Sequence, residues 1–280
     1  MEEVRARLTA RGFEEEDYVS GRSPTVSKRT FKLFLAITSS KNYEIRTTDI
    51  KSAFLQTNQM KRDVYIQPPK EARVEEAYIW KLKTALYGLN DAALQFYLTV
   101  RELLLSLNMK QSRIDPCLFY YHKEGKLHGS ICIHVDDFLH GGDKEFDEEI
   151  MKKVMARFQV GKMEARKFKY VGFEVDQNNQ EIQINQNKYV EEIELPKLTA
   201  ERKRETEEPL TGKENTELRA LIGALNWASR GTRPDIAFEV VDTSMKLRTP
   251  TVSDLSRAIK AAIKAKAEAS FITFPNRGTH

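Results

Sequence analysis

Residues 117–143, CLFYYHKEGKLHGSICIHVDDFLHGGD, constrain the fold more than any other stretch of the chain. Apolar and polar side chains alternate along them, with reversals at Lys123-Glu124-Gly125 and at 135–138, which predicts three antiparallel strands. The second reversal carries adjacent acids, in His134-Val135-Asp136-Asp137. Neighbouring carboxylates at a hairpin tip repel each other unless solvent or a cation separates them. A plain Asp-Asp turn is one reading, because Asp is a favoured turn residue. A further acid, Asp49, ends a second β-rich segment at 43–49. If the two strands are neighbours in one antiparallel sheet, Asp49 and Asp136 converge on one edge. Carboxylates around two divalent ions suit in-line phosphoryl or nucleotidyl transfer, and an all-oxygen ligand set favours Mg²⁺.

The surrounding elements follow from periodicity. Phe31, Phe34, Leu35 and Thr38 fall at helical spacing within 23–40, and Phe96, Val100, Leu103, Leu104 and Leu107 repeat with the helical period from Ala92 onward. Phe146, Ile150, Val154 and Phe158 predict a third helix over 144–159. DVYIQ at 63–67 and residues 79–82 read as short strands, and FKYVGFEV-DQNN-QEIQIN as a hairpin followed by a helix over 186–194. Three helices are predicted over 214–229, 234–247 (opened by Pro234) and 251–269. The charged stretch 199–217 contains Pro209 and Gly212 and has no apolar period. The predicted class is α+β, with residues 1–198 as one domain, 199–213 as a linker and 214–280 as a small helical domain.

Composition narrows the function classes. With 40% hydrophobic residues, among them 14 Phe and 10 Tyr, the chain can build a sizeable core. Forty-five Lys and Arg against 41 Asp and Glu leave +4, which excludes a polycation or an acidic tail but leaves room for a segregated basic groove. No apolar run approaches the roughly 18 residues of a membrane span, and the charged stretch 2–16 is unlike a signal peptide. Cys117 and Cys132, neither in a CxxC pair, point to a reducing compartment without a disulfide framework or structural zinc. The abrupt opening on VRARLTARGF predicts a piece of a longer polypeptide.

Eight blocks then stand in order: RARLTARGF, TTDIKSAFLQ, DVYIQPP, LKTALYGL, DPCLF, HVDDFLHGG, KYVGFEV and GALNWASRGTRPDIAF. In these blocks, and over essentially its whole length, the chain resembles the reverse transcriptases of Ty1/copia-type retrotransposon Pol polyproteins. The resemblance implies a right-hand polymerase: shortened fingers, a palm with an antiparallel sheet and helices, and a small helical thumb. It implies an RNA-directed DNA polymerase that adds dNTPs to a primer 3′ end on an RNA or DNA template, using two Mg²⁺ ions for which Mn²⁺ substitutes. A domesticated or decayed domain that grips primer–template without efficient polymerisation is the alternative.

By matched position, the resemblance makes Asp49 and Asp136 the metal ligands, with Ile50 beside them and Asp137 completing the catalytic acids. Ile50, Lys51, Ser52, Ala53 and Phe54 wrap the incoming triphosphate, and Phe54 is the steric gate against a ribose 2′-hydroxyl. Arg7 and Arg11, Arg7 foremost, aim at the triphosphate from the fingers, and Tyr87 and Gly88 pack beneath the template–nucleotide pair. His134 and Val135 flank the primer end, while Tyr170, Val171 and Gly172 form the primer grip. Arg219, Gly223 and Trp227 lie on one helix face that enters the minor groove, with Arg230, Arg233 and Lys246 adding phosphate contacts. Plain core roles compete for Phe54 and Trp227, and a plain loop role for Gly88.

The chain departs from the family pattern twice. His134 replaces a usual tyrosine, and residues 91–96 lack the usual Gln, Pro, Arg and Trp. The run Gly141-Gly142-Asp143-Lys144-Glu145-Phe146 resembles the GGDEF signature of diguanylate cyclases but follows the second strand instead of forming the hairpin tip. His134 and His140 invite a zinc-hydrolase reading for which no third nitrogen or sulfur ligand is evident. RNase H and integrase regions are expected as partners in a longer polyprotein, in a cytoplasmic virus-like particle or the nucleus, with no membrane association.

Overall fold

Ser27 stands in extended backbone and its hydroxyl accepts the Thr30 N–H, so α1 (Lys28–Ser40) begins there. Phe31, Phe34, Leu35 and Thr38 line its buried face, as their spacing predicts. The computed structural model describes residues 7–15, 21–75 and 77–276; Arg5 and Ala6 of the first block lie outside the described residues. The chain divides between Arg166 and Lys167 into two units.

In the first unit β1 (Glu44–Ile50) follows α1, and β2 (Tyr65–Ile66) pairs with β3 (Trp80–Lys81). Next come α2 (Ala92–Ser106), β4 (Lys110–Gln111), β5 (Leu118–Lys123), β6 (Lys126–His134) and β7 (Asp137–Gly142). The helical stretch after β7 comprises α3 (Lys144–Phe146), a π-turn at Asp147–Met151 and α4 (Lys152–Arg157), before β8 (Val160–Ala165). These strands form a six-stranded sheet in the order β4-β5-β6-β7-β1-β8, every adjacent pair antiparallel. Behind it, Phe96 of α2 stacks on Phe138 at 6.4 Å and meets Phe158 edge-on at 5.6 Å. Buried rings of this size each contribute about 1.5–3 kcal/mol, so the strand carrying Asp137 is backed by well-packed core.

The second unit holds β9 (Lys167–Tyr170), β10 (Phe173–Gln177), β11 (Glu181–Asn185), α5 (Asn187–Glu191), α6 (Gly212–Gly231), α7 (Ala237–Met245), α8 (Val252–Ala267) and β12 (Phe271–Pro275). Its core is built by Leu218, Leu221, Leu225, Ile236, Leu255 and Ala258 with their neighbours. The predicted hairpin is a four-stranded sheet, β12-β11-β10-β9. FKYVGFEV breaks at Val171-Gly172, both with positive φ (46° and 78°), the pattern of a two-residue type I′ turn.

The linker expected at 199–213 differs too. The Arg202 guanidinium forks onto Glu214 at 3.0 and 2.8 Å, and Val252 N–H donates to Glu208 O at 3.1 Å. Ion pairs and backbone bonds, which leave no apolar period, anchor this stretch to α6 and α8. The class is α+β, as predicted. No helix among the described residues is long and apolar enough to cross a membrane.

Candidate active site

The β6–β7 connection is two residues long, since His134 pairs with Asp137 across Val135-Asp136. Val135 has φ 57°, at a turn position that normally takes glycine. A β-branched residue so placed costs about 1–3 kcal/mol, which the flanking strands must offset. β1 runs antiparallel to β7 with Asp49 directly opposite Asp137, and Ile50 N–H donates to Asp136 O at 2.9 Å. The three acids therefore meet at one end of the sheet.

On the other side of β1 stands β8, which periodicity did not predict. Lys162 N–H donates to the Asp49 carboxylate, and a Cβ on Gly161 would lie 2.3 Å from Asp49 Oδ2. Gly161 is thus the space in which that carboxylate sits. Burial and the Asp136 charge push Asp49 above the usual carboxylate range, opposed by the Lys162 N–H. Burial, Asp136 and Asp49 do the same to Asp137, opposed by His134.

Such crowded negative charge favours a cation. The donors are all hard oxygens: the Asp49 and Asp136 carboxylates and, because an isoleucine side chain has no ligating atom, only the main-chain oxygen of Ile50. Among the described residues no three His, Cys, Asp or Glu side chains gather to hold an ion by themselves. An all-oxygen set of carboxylates and a carbonyl fits Mg²⁺, which takes one or two carboxylates and completes its shell with water and phosphate oxygens. It does not fit zinc. His140 is buried, bonded through Nε2 to Thr48 Oγ1 at 3.0 Å, and pushed down to about 3 by burial and the Arg46 charge.

Three of the predicted nucleotide-facing residues form one stack. The Arg7 guanidinium lies 4.7 Å over the Tyr87 ring, and Phe54 packs on Tyr87 at 4.9 Å. Phe54 also rests on the cluster of Met60, Leu86 and Leu89, so its core role and its place beside Tyr87 coexist.

Other expectations need correction. Ile50 and Lys51 donate their N–H groups to Asp136 O and Gln159 O, so these two N–H groups are not open to a phosphate, while the Lys51 side chain is exposed. Ala53 is buried, leaving Ser52 (φ 51°) and Phe54 at the start of the 3-10 turn Ala53–Gln56, whose first N–H groups are open. Exposed Arg11 pairs with Glu14 at 3.2 Å instead of joining Arg7. Gly88, with φ 89°, is more than a plain loop residue, because it lets the N-terminal segment close in: a Cβ there would lie 2.0 Å from Ala10 O.

In the second unit, Gly172 presses on Trp227, since a Cβ would lie 3.3 Å from Cζ2, and Phe173 stands 6.3 Å from the same indole. The half-buried Trp227 therefore supports the Val171-Gly172 turn. Tyr170 is 1% exposed and belongs to the core, where no primer can reach it. Gly223 is exposed on α6, and a Cβ there would meet nothing within 4 Å. Arg219 is exposed on the same helix, its Nη2 donating to Leu247 O at 2.8 Å. Arg233 is not a phosphate contact: its side chain is 3% exposed, pairs with Asp235 at 2.8 Å and donates to Glu268 O at 2.8 Å, closing the end of α8. Lys246 is engaged with Asp242 and Asp254.

Residues 2–206 match the family model described as reverse transcriptase (RNA-dependent DNA polymerase). The chain is 27% identical over 286 residues to the retrovirus-related Pol polyprotein from transposon RE1 of Arabidopsis thaliana, covering 94% of this chain and 19% of that protein. It is 30% identical over 161 residues to the transposon Ty1-GR3 Gag-Pol polyprotein of Saccharomyces cerevisiae, covering 56% of this chain and 9% of that one. A solved foamy viral protease–reverse transcriptase, in complex with double-stranded DNA, is similar with TM-score 0.48 and 14% identity over 89% of this chain and 40% of that one. The chain thus spans no more than 19% of either Pol polyprotein.

Proposed function

Because the chain belongs to the reverse transcriptase (RNA-dependent DNA polymerase) family, in its Ty1/copia retrotransposon branch, we propose that it extends a primer 3′ end with dNTPs on an RNA or DNA template. The observation that carries this reading is the β1–β7 register, with Asp49 opposite Asp137 and Asp136 at the adjoining tip. In the reaction, the primer 3′ oxygen bonds to the α-phosphorus as the bond to pyrophosphate breaks.

Asp49 and Asp136, with the Ile50 main-chain oxygen, would hold two Mg²⁺ ions, or Mn²⁺ in their place. Bound there, the ions lower the pKa of the 3′ hydroxyl and neutralise the leaving group. Asp137 adds negative charge beside Asp49, and His134 partly balances it. Arg7 offers the triphosphate a flat, two-pronged cation, held in place by the Tyr87 face. Phe54 is backed by Tyr87 and the core, so it meets a ribose 2′-hydroxyl as a wall that cannot swing aside. In this reading the first unit supplies fingers and palm. The second supplies the primer grip at Val171-Gly172 and a thumb whose Gly223 leaves room for a sugar edge beside Trp227. Any RNase H or integrase region belongs to other parts of a longer polyprotein.

Primer extension on a homopolymeric RNA template with Mg²⁺ tests the proposal. The wild type extends the primer, and Asp136→Asn abolishes extension while primer–template affinity stays within about twofold. Tight binding by a wild type that extends nothing would favour the binding-only domain instead.

A further inference from the structure

Asp91 departs from the family pattern, and Arg62 belongs to none of the matched roles, yet the structure joins them. Arg62 Nη2 and Nε meet Asp91 Oδ1 and Oδ2 at 2.8 and 3.2 Å. Its third prong, Nη1, bonds Glu15 Oε1. Asp91 is 1% exposed, stands at the N-cap of α2 and also accepts from Gln95 Nε2 at 3.0 Å. Burial alone would raise this carboxyl, but Arg62 and Gln95 outweigh it and hold it below the usual carboxylate range. A buried carboxylate gripped by two prongs of one guanidinium is a fixed point, because releasing either partner strands a charge.

Glu15 is where this fixed point reaches the N-terminal segment. Further back along that segment, Gly12 N–H donates to Gly88 O at 3.1 Å and Ala10 N–H to Tyr87 O, while Asn90 Nδ2 donates to Gly12 O at 2.7 Å. Beyond Ala10 the segment delivers Arg7 onto the Tyr87 ring. Backbone bonds to the turn at 87–90 thus hold it laterally, and Glu15 ties it to α2.

We propose that Arg62, gripped by Asp91 and Glu15, is a positioning residue for the incoming nucleotide, fixing residues 7–15 against the turn at 87–90 so that Arg7 meets the triphosphate already ordered. This rests on the polymerase reading above. Arg62 touches no substrate; it acts through Arg7, and it removes an ordering cost from nucleotide binding. The departure at position 91 is then a different way of anchoring the fingers and not a sign of decay.

The test is single-nucleotide incorporation of dTTP on an oligo(dT)-primed poly(rA) template, with hydrogen exchange at Ala10 and Gly12. Glu15→Ala removes the acceptor of the outer prong and leaves the buried Arg62–Asp91 pair intact, so folding is preserved. Arg62→Lys keeps the charge but cannot fork. Both variants should raise KM for dTTP about three- to tenfold, with kcat and primer–template affinity within about twofold. Both should also speed exchange at Ala10 and Gly12. A fall in kcat at unchanged KM, the mark of fewer active molecules, would overturn the proposal, as would unchanged exchange at those amides. A wild type that incorporates nothing would overturn the polymerase reading itself, before any variant is compared.

Discussion

Val135 holds a conformation that suits glycine, directly before Asp136. Val135→Gly should relieve about 1–3 kcal/mol of backbone strain against about 0.5–1 kcal/mol of added chain entropy. Thermal unfolding should therefore show an equal or higher Tm while kcat falls, because the tip that presents Asp136 is loosened. Phe54→Ala should relax rejection of ribonucleotides, read as the ratio of dNTP to rNTP incorporation; an unchanged ratio removes the gate assignment.

His140 gives a pH dependence whose sign follows from its burial. The folded ring stays neutral down to about 3, whereas the unfolded ring protonates near 6.5. The unfolded chain therefore binds the extra proton between those values, so the contribution is full above about pH 6.5 and is lost as pH falls. His140→Asn should lose less Tm than the wild type between about pH 7 and about pH 5. The convergence of the acids on one sheet edge was legible because Asp49 ends a β-rich segment and Asp136 follows an alternating strand. The burial of Tyr170 was legible too, since it shares a strand face with Phe168, and both are buried. Only the family match drew it toward the primer.

Among the elements, α6 gives the sharpest contrast between stability and function. Gly223 sits within its 20 residues where a side chain would meet nothing. Gly223→Ala should stabilise the unit by about 0.5–1 kcal/mol and weaken primer–template binding several-fold, measured by chemical denaturation and fluorescence anisotropy. Stabilisation with unchanged binding would show that the glycine serves no ligand. β8 escaped the sequence reading because its outer residues are exposed, so no alternation marks it; its part in the site lies in Gly161 and the Lys162 N–H, which carry no side-chain signal. The stretch 199–213 was misread for a related reason: Arg202, Glu205 and Glu214 bind through charge where a periodicity scan looks for apolar residues.

For the whole molecule, the division at Arg166/Lys167 puts the β9–β12 sheet with the helices, although β9–β11 were assigned by sequence to the larger domain. The second unit has its own sheet and its own core, so residues 167–276 expressed alone should unfold cooperatively; a fragment without a thermal transition would contradict that independence. The central claim is that Asp49 and Asp136, distant in sequence, hold the same cations. Iron-mediated cleavage reads this directly, with Fe²⁺ supplied in place of Mg²⁺ in the presence of primer–template and dNTP, and the cut backbone sites mapped. The account predicts cuts near both 49 and 136, with both sets lost in Asp49→Asn and in Asp136→Asn alike. Cuts near only one acid, or a pattern indifferent to either substitution, would contradict it.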